Sequence, residues 1–520
     1  MKNLQNKPLG PTACRHHGRR RALQRLCLVR LALRFRTHYA VLDLTSNSEI
    51  ETRGNKQMID IRKRRSWALV LLGFVGLALH GAGASAQDSE YALVGTLITP
   101  SGVIENGTVV IVHGAIQAVG VDLPLPSGIA VIKTDGVIVA GLIDLHNHLV
   151  WNVFPRWKPS AAPRNRYDWQ ALDDYKKMLS GPEQRLIERG AGCDMERYAE
   201  IKALLGGATA LVGSYSPTDS DPKRNECDRG LARNLDFASG LYSQEINSEP
   251  LEYDVFPFEL PVSKAQSVRD GLSLGKLKAA LFHVAEGKDA SAAREFRMFK
   301  AAGLLRPGVS VIHGVGLGAT DFQDMAANNV GLIWSPRSNF ELYAKTTDVA
   351  AAKTANVLIA VAPDWSPSGS NNLLEELRYI HSNASVPKVF SDAELVRMVT
   401  TNPAKLAGAS DRIGGLTAGM VADIAILPKR GASALAAVVD AEPGTIKLVI
   451  VGGKPILGDA TFMEELLPGQ RLDAMTVCRH EKSLNIAGDT GGRRWSQIVG
   501  YLTAELKREN LTLAELQDCN

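Results

Sequence analysis

Positive charge is scarce where a nucleic-acid binder would carry it. Residues 1–86 hold 16 Lys/Arg against 4 Asp/Glu, leaving 43 against 51 for the rest, so the formal net charge of +4 belongs to the leader. The body therefore gives no electrostatic reason to expect nucleic acid as a partner. None of the six cysteines has C-x-x-C spacing, which argues against zinc knuckles. No Gly-rich dinucleotide fingerprint follows an early strand-like run, which weighs against an open nucleotide-binding sheet. After residue 87 no apolar run approaches the roughly 20 residues that span a bilayer, so no stable membrane anchor is expected. With 45% apolar and 22% charged residues, composition also excludes collagen-like, coiled-coil and mostly disordered chains.

What is present begins with a targeting pattern. Arg62, Lys63, Arg64 and Arg65 precede a 13-residue apolar run over 67–79, and Ala84-Ser85-Ala86 forms a small-residue cleavage site. The pattern predicts a signal peptide over 58–86, a mature chain from Gln87, and a periplasmic or secreted location. Residues 1–57 have no place ahead of such a signal and are read as upstream sequence before a true start at Met58. The mature chain keeps Cys193, Cys227, Cys478 and Cys519, and an oxidising compartment favours pairing. Local bridges 193–227 and 478–519 are the first expectation, with the other two pairings open.

Short β-rich runs at 91–97, 108–112, 115–119 and 129–132 are separated by turn residues, and a similar pattern returns at 422–427 and 446–451. These flanking pieces, 87–140 and 411–460, are expected to form one small sheet domain, followed by a C-terminal extension over 461–520. The middle, about 141–410, alternates strand-like runs (208–214, 239–244, 278–284, 309–313, 330–335, 357–362) with helical stretches such as 290–302 and 371–381. That alternation predicts a parallel sheet, either a closed eight-stranded barrel or an open doubly wound one. The connections 152–201 and 217–236 read as long, polar covers of the site.

Histidine placement carries the chemistry. His146 and His148 end an apolar run and, two apart on a strand, face the same side. His283, His313 and Asp364 each close or follow another predicted strand, at the end where barrel active sites lie. Each alone reads as structural; five such groups at one barrel face read as a metal centre, for which imidazoles plus one carboxylate suit zinc, with ferrous iron or manganese as alternatives. His113, His381 and His480 read as ordinary surface or partly buried histidines.

Read together, Gly141-Leu-Ile-Asp-Leu-His-Asn-His148, His283-Val-Ala-Glu286, Ile312-His-Gly314, Ser338-Asn-Phe-Glu-Leu342, Asp364, Thr401-Asn-Pro-Ala404 and Gly414-Gly-Leu-Thr-Ala-Gly-Met-Val-Ala-Asp-Ile424 resemble the amidohydrolase superfamily. The likeness is to its mononuclear branch, related to cytosine deaminase and the triazine hydrolases, over roughly 90–460. It implies a (β/α)8 TIM barrel with a β-sandwich built from both flanks. It also implies one divalent metal on His146, His148, His283 and Asp364, with His313 beside the attacked group and Glu286 as proton shuttle. Binuclear relatives add a lysine on the fourth strand; Lys264, Lys276 and Lys278 do not sit at such a strand end. Trp151, Trp157, Tyr167, Trp169, Arg156 and Arg164 fall where a lid or specificity loop would lie. Ser370 reads as an N-cap of the next helix, whose free terminus is the alternative as an anion site.

These features predict an exported metal-dependent hydrolase of carbon–nitrogen bonds in cyclic amide, amidine or N-acyl small molecules. Deamination of an aminated heterocycle is the nearest competitor: Asn339 and Glu286 favour it, whereas export weighs against it. A peptidase-like amidohydrolase and an inactive barrel used as a binding protein are the further alternatives. A homo-oligomer is compatible with the sequence.

Overall fold

The computed structural model describes residues 90–215, 230–242, 249–255, 258 and 262–519. The upstream segment and signal peptide lie outside them, as does Cys227. No helix among the described residues is long and apolar enough to cross a membrane.

The first flank contributes β1 (Tyr91–Thr99), β2 (Gly102–Val112), β3 (Ala115–Gly120) and β4 (Ala130–Ala140). The middle contributes β5 (Leu142–Asp144), β6 (Ala208–Leu211), β7 (Arg233–Asn234), β8 (Leu251–Asp254), β9 (Ala279–Val284), β10 (Val309–His313), β11 (Gly331–Trp334) and β12 (Ile359–Val361). The last part contributes β13 (Ile424–Pro428), β14 (Leu448–Val451), β15 (Lys454–Gly458), β16 (Asp473–Val477) and β17 (His480–Leu484).

β4 pairs antiparallel with β13, placing strands from before and after the middle region in one nine-stranded sheet. The sheet continues through β17, so it draws on the C-terminal extension as well. Leu93, Leu97, Ile111, Ile138, Ile424 and Ile450 form part of its own apolar core.

The eight middle strands are parallel and follow chain order, three in one sheet (β5–β7) and five in another (β8–β12). A parallel bridge between Asn147 and Asp364 links the ends of β5 and β12. Side chains alternate as a two-faced strand requires. Ala279 and Leu281 of β9 join Ile143, Ile312, Ile333 and Ala360 in one cluster, while Ala280, Phe282 and Val284 pack with the surrounding helices. Helices such as Ala290–Ala301, Ala319–Ala327 and Leu373–Ser382 follow the strands, which makes the fold TIM-barrel-like.

Three expectations need correction. The predicted strand at 239–244 begins as a 3-10 turn over Ser239–Leu241, and the third and fourth strands are β7 and β8. These have two and four residues and no continuous apolar run, so periodicity could not reveal them. Residues 152–201 are largely helical, and Gly192–Leu205 is buried along almost its whole length. Its polarity misleads because partners meet several of its charges, Arg197 Nη1 lying 2.5 Å from Glu200 Oε2 and Arg493 pairing with Asp194. Asn372, not Ser370, caps the helix Leu373–Ser382 by accepting from Glu375 N. Asn371 N also donates to Glu375, so this terminus is closed by its own side chains and offers no anion site.

Of the expected disulfides, Cys478–Cys519 is formed. Cys193 is disulfide-bonded, and its expected partner is not among the described residues.

Candidate active site

β5 stops at Asp144, two residues before His146, so the two histidines do not lie on the strand itself. Asp144 aims the segment that follows: its carboxylate accepts from His146 N at 3.1 Å and Asn147 Nδ2 at 2.7 Å. Burial pushes the Asp144 carboxyl up to about 7 even though both hydrogen bonds oppose the shift. Gly213 permits the close approach behind it, since a Cβ there would stand 1.9 Å from the Asn147 carbonyl oxygen.

His283 completes the inward face of β9. On β10, Ile312 joins the same inner cluster as Ile143 and Leu281, so regular strand geometry would turn His313 the other way; its left-handed φ of 65° brings it back to the site. Asp364 also has a left-handed φ, 69°, in the turn after β12. Non-glycine residues in this region cost about 1–3 kcal/mol and cluster at functional sites.

The donor atoms converge. His146 Nε2 is 3.1 Å from His283 Nε2 and 3.1 Å from Asp364 Oδ1, and His148 Nε2 is 3.3 Å from the same oxygen. His146, His148 and His283 form one set of mutually close donors; His146, His313 and Asp364 form a second, each within 4.8 Å. Ligands of a tetrahedral zinc with bonds of roughly 2.0–2.1 Å stand about 3.3 Å apart, so the spacing suits such an ion. The outer nitrogens point the same way. His283 Nδ1 faces the Asp254 carbonyl at 3.1 Å, which fixes it as the donor and leaves Nε2 with its lone pair. His146 Nδ1 meets Ser335 Oγ at 2.7 Å, and Ser338 Oγ donates to Asp364 Oδ2 at 2.6 Å.

Electrostatics fit a cation centre. Burial drives the His146 imidazole down to about 4 and His283 well below the ordinary range, keeping both neutral. Burial raises the Asp364 carboxyl, but His146 and His148 outweigh it and hold the group well below the usual carboxylate range.

Glu286 lies against the same centre. Its Oε2 is 3.7 Å from His313 Nε2, while Oε1 accepts 2.7 Å from Tyr343 OH. His313 Nδ1 in turn meets Asn339 Oδ1 at 2.9 Å. Asn339 and Tyr343 are four apart on the helix Pro336–Tyr343, hence on one face. Sequence reasoning missed Tyr343, and that spacing from Asn339 was the available signal. It also missed Ser335, Asp144 and Tyr253, whose hydroxyl is 3.5 Å from His148 Nε2. Tyr253 belongs to the fourth parallel strand, and no lysine lines the site among the described residues.

A cavity of about 190 Å3 opens over these groups, walled by Trp151, Trp169, Tyr175 and Trp365. The four rings pack on one another, with Trp151–Trp365 at 5.6 Å and Trp169–Trp365 at 5.7 Å between centroids. Of the expected lid residues, Trp151 and Trp169 line this cavity and Trp157 stands behind Trp169. Tyr167 is exposed, Arg164 pairs with Asp168, and Arg156 reaches Asp518 and the Gly369 carbonyl. His113, His381 and His480 lie elsewhere, the first two beside Glu90 and Asp440.

Comparison with known proteins agrees with this geometry. Residues 273–456 match the Amidohydrolase family. A 5-methylthioadenosine/S-adenosylhomocysteine deaminase of Pyrococcus furiosus is 23% identical over 408 residues, covering 69% of this chain and 93% of its own length. The fold is shared with a zinc-bound adenosine deaminase from Xanthomonas campestris, at a TM-score of 0.60, 17% identity, and 81% and 98% of the two chains. It is shared too with the zinc complex of an atrazine chlorohydrolase from Arthrobacter aurescens TC1, at 0.58, 19%, and 80% and 99%. In its motifs, its parallel-strand architecture and its convergent donors the chain is similar to the amidohydrolases, whose family model matches residues 273–456.

Proposed function

We propose that this protein hydrolyses a carbon–nitrogen bond of a planar nitrogen heterocycle, releasing ammonia or an amine. The observation that carries the reading is Glu286, held by Tyr343 within 3.7 Å of His313 and beside the donor cluster. In this reading His146, His148, His283 and Asp364 hold one divalent ion, most simply zinc. The ion would supply hydroxide at neutral pH by lowering the pKa of water to about 7. Asp364 accepts the proton released from the attacking water. His313, with Nδ1 fixed by Asn339, orients the electrophilic end of the ring. Glu286 delivers a proton to the departing nitrogen, as an amine leaving group requires. Trp151, Trp169, Tyr175 and Trp365 exclude water and offer flat surfaces to a ring. Tyr253 on the fourth strand, in place of a bridging lysine, supports a single ion.

Deamination is preferred over cyclic-amide hydrolysis because relatives spanning most of the chain are deaminases and the cavity wall is aromatic. The test is a panel of aminated heterocycles, lactams and N-acyl amino acids with the zinc-loaded protein. Ammonia release from a heterocycle supports the reading, and turnover confined to lactams or N-acyl amino acids overturns it.

The parallel strands are read as a closed barrel and the flanking sheet as bent into a sandwich; the Asn147–Asp364 bridge and the sheet's separate core support these. An exported location is likewise proposed, supported by the 58–86 pattern and the Cys478–Cys519 disulfide. Sequencing the amino terminus of protein recovered outside the cytoplasm tests it, with Gln87 as the expected first residue.

A further inference from the structure

Residues 511–519 return to the parallel strands and lie against the loops that shape the site. Ala514 N donates to the Val153 carbonyl at 2.9 Å, Gln517 Nε2 to the Leu205 carbonyl at 3.1 Å, and Cys519 is bonded to Cys478. Between these anchors stands Asp518. Its Oδ2 accepts 3.0 Å from Arg156 and 3.0 Å from Arg337, its Oδ1 accepts 3.1 Å from Asn371 Nδ2, and its N donates 2.7 Å to Glu375.

Each partner leads to the donor cluster. Arg156 Nη1 donates 2.6 Å to the Gly369 carbonyl, and Gly369 N donates 2.7 Å to the Trp365 carbonyl, next to Asp364. Asn371 ends that same loop. Arg337 precedes Ser338, whose hydroxyl donates to Asp364 Oδ2, on the helix that also carries Asn339 and Tyr343. One carboxylate thus joins the loop after β5, the loop after β12 and the helix after β11.

We propose that Asp518 is a positioning residue, through which the C-terminal tail sets the placement of Asp364 and so the metal affinity and turnover of the site. The inference rests on the proposed metal site, and on the proposed chemistry for its kinetic arm. Removing an outer partner of a metal ligand typically changes affinity 10–100-fold, and Asp518 acts one contact further out.

The test compares the wild-type chain with Asp518→Asn, Asp518→Ala and Asp518→Glu, with the exposed Glu442→Ala as a surface control. Zinc affinity is read by competition with a chromophoric chelator, kcat and KM on a heterocycle that the wild type turns over, and the unfolding midpoint in urea. Asn and Ala are expected to weaken zinc binding at least fivefold and lower kcat at least fivefold with KM within twofold. Glu should restore both to within twofold, and Glu442→Ala should change neither. Unchanged zinc affinity in folded Asn and Ala variants overturns the proposal. So does a loss that Glu fails to rescue and that tracks a lowered midpoint. If the wild type turns over no heterocycle, the proposed function falls while the zinc comparison still decides this one.

Discussion

Tyr343 accepts a 2.8 Å hydrogen bond from Trp169 Nε1 and donates one of 2.7 Å to Glu286, so a single phenol joins the aromatic wall to the carboxylate beside the donor cluster. Burial, reinforced by Glu286, pushes its hydroxyl well above the ordinary tyrosine range, so it stays a donor at any working pH. Hydrogen bonds to charged groups contribute about 1.5–3 kcal/mol. Tyr343→Phe should therefore lower kcat roughly 10–100-fold. Zinc affinity, measured by chelator competition, should stay within about twofold of wild type, because Tyr343 touches none of the four donors.

Asp364→Asn removes the one carboxylate donor from a cluster of imidazoles. Activity should fall at least about 100-fold with far-ultraviolet circular dichroism unchanged. Full turnover in a folded Asp364→Asn protein would refute the role given to this residue.

Stripping the metal with a chelator should abolish turnover, and added zinc should restore it. Zinc should also stabilise the fold by mass action, about 2.7 kcal/mol at 100 times its dissociation constant. Denaturant titrations with and without zinc measure this, and equal midpoints would contradict a preformed site.

Trp151→Ala opens the cavity wall without touching a donor. With a planar substrate KM should rise about tenfold while kcat stays within about threefold, the pattern of lost ground-state binding. A fall in kcat alone would place Trp151 elsewhere in the chemistry.

Lys202 gives a pH signature. It is buried on Gly192–Leu205, donating 3.0 Å to both the Asn152 carbonyl and Ser366 Oγ, and burial lowers its amine to about 7. A base with a folded pKa below its unfolded value makes the folded state bind fewer protons between the two values. Its penalty is therefore full below about pH 7 and relieved as pH rises towards 10.5. The wild type should gain stability over that window relative to Lys202→Met. Urea midpoints at pH 7 and pH 9.5 for both proteins check the sign; parallel curves would contradict it.

The donors were legible because barrel chemistry collects at strand ends, and His283 and Asp364 follow apolar runs that announce themselves. His146 and His148 were found by the right proximity for an incomplete reason: Asp144 and the Asn147–Asp364 bridge aim them, not a continuing strand. His313 reaches the site through a left-handed backbone that no side-chain pattern encodes. β7 and β8 escaped notice because they are too short to show a period. The segment 152–201 read as a polar cover because a single sequence does not display the partners that compensate a buried charge such as Glu200. Asp518 required three dimensions, since the groups it serves are more than 140 residues away.

Only Gly141 separates the end of β4 in the flanking sheet from the start of β5, and a Cβ on it would meet Thr209 Oγ1 at 2.0 Å. β4 of the flanking sheet and β5 are consequently joined by one residue, held against Thr209 of β6 where the chain passes from one sheet to the other. An appendage attached in this way is not a detachable accessory. Trimming it to obtain a minimal enzyme would withdraw the support from behind His146 and His148.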